Sequence, residues 1–204
     1  MQPITVHVGR GVALRRDDVD TDQIIPAEYC KRLTRSGYAD TLFAHWRTDP
    51  DFVLDQPSAR GASVLVAAAN FGTGSSREHA VWALRDWGFA AVLATSFGDI
   101  FERNALKNGL LAVVLDEPAA RYLADRITAD PGFLIAVDIE HREVRAGGRR
   151  WGFRIDDRAR WLLLNGHDDI DVTLGRAGRI DDYERARPPW LPTVARGEFS
   201  TVTR

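Results

Sequence analysis

Three short apolar runs, each followed by a segment with helical periodicity, fill the middle of the 204-residue chain. The runs cover residues 63–69, 89–95 and 110–115, and the helical segments cover residues 78–87, 97–107 and 118–128. A continuous apolar run of this length is expected of a strand that is covered on both faces. Strand–helix–strand repetition at this spacing predicts parallel βαβ units with right-handed crossovers. The middle of the chain therefore predicts an α/β fold.

The segments on either side of this core add further strands and short helices. Residues 4–14 predict one or two strands, and residues 133–155 predict antiparallel strands that turn at Gly147 and Gly148. Short helices are expected over residues 27–33, 38–46, 157–164 and 167–174. We expect one α/β domain over residues 1–185, in which a parallel βαβ core carries a β-rich flank. An irregular tail is expected over residues 186–204.

Composition argues against several classes of protein. The net charge of −2 gives no reason to expect a nucleic acid or an acidic membrane surface as partner. No apolar run approaches the roughly 20 residues that span a bilayer, and residues 1–7 do not have the pattern of a signal peptide. Cys30 is the one cysteine, so no internal disulfide can form, which fits a reducing compartment. We therefore expect a cytoplasmic protein.

The turn between the first apolar run and its helix, residues 70–79, concentrates chemically useful side chains. It reads Asn-Phe-Gly-Thr-Gly-Ser-Ser-Arg-Glu-His. One interpretation is a capping box, in which Ser75 caps the helix and Glu78 reaches back to it. Gly72 and Gly74 would then serve only to make a tight turn. On spacing alone this interpretation and a binding site are equally favoured.

Arg77 favours the binding site. A cation in the first turn of a helix opposes the helix dipole by roughly 0.3–1 kcal/mol. An anionic ligand would remove that penalty, because backbone N–H groups, the hydroxyls of Ser75 and Ser76 and a guanidinium together bind carboxylate or phosphate well. The same positive field would lower the pKa of a serine hydroxyl and make its oxygen a better base.

Other motifs do not account for the turn or for the acidic loop before it. Arg77 stands where a dinucleotide fingerprint needs a small residue, no P-loop lysine follows, and the nucleophile elbow is absent. Residues 18–22 imitate an EF-hand, but Gln23 replaces its glycine and Tyr29 its bidentate glutamate. The five histidines form no close ligand pair, so no metal site is expected on this chain.

Residues 70–79 resemble the signature of the swivelling domain of the aconitase superfamily. Further segments resemble the small subunits of bacterial 3-isopropylmalate dehydratases: residues 20–26, 31–37 and 97–101 and the region around Asn165 and Gly166. The resemblance extends to about residue 184. It implies a swivelling β/β/α domain of the aconitase type.

The resemblance also implies an activity that needs two chains. The family interconverts 2-isopropylmalate and 3-isopropylmalate through isopropylmaleate in leucine biosynthesis. Its [4Fe–4S] cluster lies in a partner large subunit, with which the small subunit forms a heterodimer or higher hetero-oligomer around a small dicarboxylate substrate. The single cysteine is independently consistent with this arrangement, because one thiol cannot hold such a cluster.

Six residues acquire roles from the resemblance. By position in the motif Ser75 is the base, and Ser76 and Arg77 hold substrate carboxylate. Asp22 matches an aspartate that supports acid–base chemistry, and Thr34 and Arg35 lie where the family contacts the substrate's side group. From the residues alone, an ordinary Asx-turn acid is the less favoured alternative for Asp22, whereas a solvated charge is at least as well supported for Arg35 as a substrate contact.

The chain departs from the family at Thr73, where cysteine is frequent. Two alternatives also stay open on the sequence. The first is a related hydro-lyase that acts on homoaconitate, citraconate or dimethylmalate. The second is a non-catalytic module that binds anions.

Overall fold

The computed structural model describes residues 1–192; the end of the expected tail, residues 193–204, lies outside the described residues. The chain divides into two compact units, Met1–Asp168 and a second that begins at Asp169. No helix within residues 1–192 is long and apolar enough to cross a membrane.

The first unit contains a seven-stranded sheet and five α-helices. The strands are β1 Val6–Leu14, β2 Val64–Ala67, β3 Ala91–Ala94, β4 Leu111–Val114, β5 Leu134–Asp138, β6 Glu143–Ala146 and β7 Arg149–Gly152. The helices are α1 Thr21–Ile24, α2 Glu78–Trp87, α3 Asp99–Lys107, α4 Glu117–Ala129 and α5 Asp157–Asn165. Short 3-10 helices cover Ala27–Lys31, Trp46–Thr48, Val53–Asp55 and Pro57–Ala59.

The sheet is half parallel and half antiparallel, in the order β4-β3-β2-β1-β5-β6-β7. The nine-residue strand β1 joins the halves. Residues 11–14 of β1 pair in parallel with β2, whereas residues 6–10 pair antiparallel with β5. The expected parallel βαβ core with a β-rich flank is confirmed. The sequence did not indicate that the first strand would lie between the two halves.

The parallel strands are covered on both faces, as their unbroken apolar runs predict. Leu65 packs into the core cluster on one face together with residues of α2 and α3, whereas Val64 and Val66 pack into the cluster on the other face with residues of α4 and α5. Successive side chains of a strand point to opposite faces, so a strand inside two layers must be apolar at every position.

The segment 38–46 differs from its prediction, because it forms turns instead of an α-helix, and only its last residue, Trp46, begins a short 3-10 helix. Phe43 has a φ of 50°, a left-handed conformation that cannot continue an α-helix. Its amide donates to the Ile24 carbonyl oxygen at 2.8 Å. Tyr38, Leu42 and Phe43 are nevertheless fully buried, so the apolar spacing that suggested a helix serves the core in another conformation.

The second unit contains two helices, α6 Asp169–Leu174 and α7 Ala177–Ala186. The first matches a helix expected from the sequence, and the second was not expected. Residues 187–192 contain neither helix nor strand. The domain boundary at residue 185 stays a prediction.

Candidate active site

The loops that follow β1, β2 and β3 meet at one edge of the sheet. These strands are parallel, so their carboxyl ends lie at the same edge, where open α/β sheets bind ligands. Isolated bridges join Asp20 to Thr73 and Phe71 to Phe97, so the three loops are paired with one another. The glycine turn, residues 70–77, lies in the middle of them.

Close packing beneath the turn requires its first glycine. Gly72 has a φ of 75°, and a Cβ there would lie 2.2 Å from Cγ of Phe101. A Cβ at Gly98 would lie 2.6 Å from the Gly72 carbonyl oxygen. The buried ring of Phe71 packs edge-on against Phe97 and Phe101. The segment 97–101, one of those that carry the family resemblance, therefore supports the turn from below.

The acidic loop is bound to the turn from the side. The Asp17 carboxylate accepts a hydrogen bond from the Ala69 amide at 2.8 Å, and the Asp18 carboxylate accepts one from Asn70 Nδ2 at 2.8 Å. Asp20 caps α1 in a complete capping box. Asp18 and Asp20, two of the acids that imitated a calcium loop, thus have structural partners.

The capping box proposed for Ser75 is wrong. Helix α2 begins at Glu78, and its N-cap is Arg77, which makes no capping hydrogen bond through its side chain. The Glu78 carboxylate instead accepts from Asn108 Nδ2 at 2.7 Å. Ser75 and Ser76 are exposed, and within residues 1–192 neither hydroxyl has a hydrogen-bond partner. Both hydroxyls are therefore available to a ligand.

Arg77 and Asp22 form an ion pair across the turn. Nη1 of Arg77 donates to Oδ1 of Asp22 and also lies 3.5 Å from the Ile25 carbonyl oxygen. The Arg77 side chain is only 19% exposed, whereas that of Asp22 is 56% exposed. The hydrogen bond from Arg77 lowers the pKa of Asp22 below its ordinary value and raises the pKa of Arg77. Asp22 is therefore an ionised counter-ion, and it offsets the charge that Arg77 brings to the start of α2.

Thr34 and Arg35 lie on a neighbouring loop and not in the turn. Both are exposed, and within residues 1–192 no hydrogen bond or ion pair joins either of them to residues 70–77. Tyr38 holds their loop against α2: its hydroxyl donates to the Thr34 carbonyl oxygen at 2.8 Å, and its ring centroid lies 5.6 Å from that of His79. The structure thus brings Asp22 together with residues 75–77 and leaves Thr34 and Arg35 to one side.

Sequence reasoning passed over two features of the site. A hollow of about 350 Å³ adjoins Asp22, and its lining includes Pro26, His45 and Trp46. Arg16 lies over the Trp46 ring at 4.3 Å and ties this wall to the acidic loop. The other feature is Thr21, whose side chain is buried beneath the turn. No local pattern marks these residues, because tertiary packing alone brings them to the site.

The chain does not offer a ligand set for an iron–sulfur cluster. Within residues 1–192, no group of three or more His, Cys, Asp or Glu side chains is placed to hold a metal ion. Cys30 is the only thiol of the chain, and burial raises its pKa. Cluster ligation requires several thiolates, so the residues of this chain do not fit a cluster of their own.

The fold and the site define an α/β domain that presents two free serine hydroxyls and a paired arginine at the parallel edge of a mixed sheet. The family model described as the aconitase C-terminal domain matches residues 1–118. A relative from Acidothermus cellulolyticus, named 3-isopropylmalate dehydratase small subunit, is 57% identical over 95% of this chain and 98% of its own length. The chain belongs to this family of aconitase-type hydro-lyase subunits.

Further relatives agree along nearly the whole chain. A protein of the same name from Thermobifida fusca is 55% identical over 95% of this chain and all of its own length. A crystal structure of 3-isopropylmalate dehydratase from Methanocaldococcus jannaschii is 28% identical and covers 88% of this chain and 99% of its own, with a TM-score of 0.63. The aconitase-type fold expected from the sequence is therefore confirmed.

Proposed function

We propose that the chain is the small subunit of a two-chain hydro-lyase that interconverts 2-isopropylmalate and 3-isopropylmalate through isopropylmaleate. The observation that carries the proposal is the pair of unpartnered hydroxyls, Ser75 and Ser76, beside the Arg77–Asp22 ion pair at the carboxyl edge of the sheet. The names of the relatives support this substrate over homoaconitate, citraconate or dimethylmalate. A biosynthetic role is consistent with the cytoplasmic location expected from the sequence.

Ser75 is the residue that we assign as the base. Its oxygen, as the alkoxide, takes the proton from the carbon next to a substrate carboxylate, while the hydroxyl group leaves the adjacent carbon and the alkene forms. Rehydration returns the proton from Ser75 when water adds at the other carbon. A serine oxygen is a weak base at neutral pH, so it needs a positive field. The turn's N–H groups contribute to this field, and so does the Arg77 guanidinium, whose charge Asp22 partly offsets.

Ser76 and Arg77 are assigned to the substrate carboxylate. A guanidinium can bind a carboxylate through two parallel hydrogen bonds, and Nη1 of Arg77 already donates one hydrogen bond to the carboxylate of Asp22. Asp22 is ionised and is therefore assigned as the counter-ion that orients Arg77 and supports the acid–base chemistry. Thr34 and Arg35 are assigned to the substrate's side group, on the loop beside α2.

The other half of the site is assigned to a large subunit. A [4Fe–4S] cluster on that partner would polarise the substrate hydroxyl as a Lewis acid. The present chain contributes the base, the carboxylate contacts and the counter-ion, all on the exposed edge of its sheet. A chain that carries only these groups binds one end of a dicarboxylate substrate but does not convert the substrate without the large subunit.

Reconstitution tests the proposal. The chain is mixed with a cluster-loaded large subunit, and isopropylmaleate is followed by its ultraviolet absorbance with 2-isopropylmalate as substrate. Activity is expected in the mixture and not in either chain alone, and Ser75→Ala is expected to lower kcat by at least about 10³-fold. Ser58→Ala is the matched control, because Ser58 is an exposed serine outside the glycine turn.

Four outcomes contradict particular parts of the proposal. Full activity of Ser75→Ala would remove Ser75 as the base. Activity of the small chain alone would overturn the two-chain arrangement. A mixture that converts homoaconitate or citraconate and leaves 2-isopropylmalate unchanged would keep the class of enzyme and change the substrate, and an inactive mixture that binds dicarboxylate would favour the non-catalytic module.

A further inference from the structure

Thr21 is a buried residue that donates hydrogen bonds to the main chain of the glycine turn at two places, Thr73 and Ser75. Only 2% of the surface of this residue is exposed. Its amide donates to the Thr73 carbonyl oxygen at 3.0 Å, and its hydroxyl donates to the Ser75 carbonyl oxygen at 2.9 Å. These two carbonyl groups belong to the peptide groups before and after the Gly74–Ser75 peptide, so one residue holds both ends of it.

The rest of this stretch has few constraints. Gly74 has a φ of 89°, which glycine adopts without steric cost. A Cβ at Gly74 would make only ordinary contacts, at 3.6 Å from Cβ of Asp20 and 3.8 Å from Oγ1 of Thr21. Neither Gly74 nor Ser76 takes part in a loop or side-chain hydrogen bond within residues 1–192. Helix α2 begins only at Glu78, so its hydrogen bonds do not fix Ser75.

Thr21 itself is held rigidly. It is the first residue of α1, and Asp20 caps that helix by accepting from the Gln23 amide at 2.7 Å. Gln23 Oε1 accepts in return from the Asp20 amide at 2.9 Å. The two reciprocal hydrogen bonds between Asp20 and Gln23 therefore fix the backbone on either side of Thr21. The buried Thr21 side chain, carried on this fixed backbone, can hold a flexible neighbour in place.

We propose that Thr21 is a positioning residue whose hydroxyl fixes the main chain of Ser75 and thereby the direction of Ser75 Oγ. Its catalytic consequence rests on the proposed function, because it matters for turnover only if Ser75 is the base. The positioning itself is a property of this chain and can be measured without a partner. Misplacement of a reacting group by about 1 Å can cost about 10²-fold in rate.

The first measurement uses the isolated small chain. Backbone ¹⁵N relaxation is recorded for the wild type, Thr21→Val and Thr21→Ser. Valine matches threonine in shape and removes the donor, and Ser75 is an exposed residue whose carbonyl group can turn to water, so the fold is expected to survive. We expect order parameters for residues 74–76 to fall from about 0.85 to below about 0.6 in Thr21→Val. Thr21→Ser keeps the hydroxyl and should keep the wild-type values.

Thr41 provides a matched control. It is fully buried, and its hydroxyl donates to the Tyr38 carbonyl oxygen at 2.7 Å. Thr41→Val therefore removes the same kind of buried hydrogen bond from another loop. It is expected to lower the thermal midpoint about as much as Thr21→Val does, but to leave the order parameters of residues 74–76 unchanged.

The second measurement uses the reconstituted two-chain enzyme. Thr21→Val is expected to lower kcat by at least about tenfold and to leave KM within about twofold, because the loss falls on the reacting group and not on substrate binding. Thr21→Ser is expected to restore kcat to within about twofold of the wild type, and Thr41→Val to leave it unchanged. A purely structural role would give Thr21→Val and Thr41→Val the same kinetics.

Two results would overturn the inference. One is a Thr21→Val chain that keeps wild-type order at residues 74–76. The other is a Thr21→Ser variant that loses as much order as Thr21→Val, since the methyl group and not the hydroxyl would then be responsible. Failure of the proposed function is a separate outcome: the wild-type mixture would be inactive while the relaxation data kept their expected pattern.

Discussion

The guanidinium of Arg77 donates to the carboxylate of Asp22, which lies 55 residues earlier in the chain. This pair joins the loop after β1 to the loop after β2, and it compensates a cation at the start of α2 that would otherwise oppose the helix dipole. The Asp22 carboxylate binds the Arg77 guanidinium. A substrate carboxylate would therefore have to share this guanidinium with Asp22 or displace Asp22 from it. The two residues are therefore expected to act as one unit in binding.

Asp22→Asn tests this coupling. Because the pair is partly exposed, the free energy of unfolding is expected to fall by no more than about 1 kcal/mol. In the reconstituted enzyme, kcat/KM for 2-isopropylmalate is expected to fall by at least about tenfold, since Arg77 loses the charge that orients it. Denaturant unfolding and steady-state kinetics measure the two effects.

Asp40→Asn is the control for that variant. Asp40 accepts two hydrogen bonds from Arg32 at 3.1 Å, and its side chain is 70% exposed. Its loss should change stability by a similar amount and leave kcat/KM within about twofold. Equal kinetics for Asp22→Asn and the wild type would contradict the coupling between Asp22 and Arg77.

Gly72→Ala tests how tightly the turn is packed on α3. The left-handed φ of 75° strains any residue with a Cβ, and the added methyl group would lie 2.2 Å from Phe101. Together these effects are expected to lower the free energy of unfolding by about 2–5 kcal/mol. Gly37→Ala separates them, because Gly37 has a φ of 88° and no neighbour within 4 Å of the added Cβ. Gly37→Ala should lower the free energy of unfolding by about 1 kcal/mol, from backbone strain alone. If urea unfolding shows equal losses for Gly72→Ala and Gly37→Ala, the contact with Phe101 does not contribute.

Local pattern determines the parallel core, but not the contacts that build the site. The run at residues 63–69 predicts a strand because alternate side chains enter two cores, and Val64 and Leu65 do so. The pattern Ser75-x-x-Glu78 satisfies the rule for a capping box and yet forms none, because Glu78 binds Asn108, 30 residues away. The same rule is satisfied at residues 20–23, where a box does form.

Long-range pairings explain the remaining differences. Arg77 meets Asp22 only because β1 pairs with β2 in the sheet, and no local segment of the sequence specifies the order of the strands. Segment 38–46 has helical spacing, but the left-handed Phe43 bonds to Ile24 in a different segment. The site residues that the resemblance supplied are therefore plausible one by one, and only the fold shows which of them lie together.

The hydrogen bond between Asn70 and Asp18 is a further link between the loops that follow β1 and β2. Nδ2 of Asn70 lies 2.8 Å from Oδ1 of Asp18, and both residues have a φ of 55°. A double-mutant cycle of Asp18→Ala and Asn70→Ala is expected to give a coupling free energy of about 0.5–1.5 kcal/mol. The cycle cancels the backbone strain that each alanine adds alone. A coupling free energy of zero in urea unfolding would mean that this side-chain hydrogen bond does not help to hold the two loops together.

Asp138 should make the stability of the antiparallel half depend on acid. Its side chain is 3% exposed at the end of β5, and it accepts from the His141 amide at 2.8 Å, with His141 Nδ1 at 3.1 Å and Arg145 Nη2 at 3.2 Å. Burial alone would raise the pKa of this carboxyl, but the hydrogen bonds from His141 and the charge of Arg145 outweigh it and lower the pKa below 3.8.

The sign of the pH dependence follows from that direction. The folded chain holds the Asp138 proton more weakly than the unfolded chain, so the ionised carboxylate stabilises the fold above pH 3.8 and loses this effect as the pH falls through the lower, folded-state pKa. Asp138→Asn is expected to cost about 1–3 kcal/mol at pH 7. The difference between wild type and variant should stay constant down to about pH 5 and shrink below about pH 4, as measured by urea unfolding across that range.

Asp125→Asn is the matched control for this pH series. Asp125 pairs with Arg15 at 2.6 Å, but its side chain is 61% exposed, so its removal should cost less than about 1 kcal/mol at pH 7. A stability difference for Asp138→Asn that is equally large at pH 3 and pH 7 would contradict the argument, because the contribution would then come from shape and hydrogen bonding that asparagine lacks at every pH. A stability difference that vanishes on acidification would assign the stabilisation to the ionised Asp138 carboxylate. It would then depend on the contacts that His141 and Arg145 make with this carboxylate at the turn between β5 and β6.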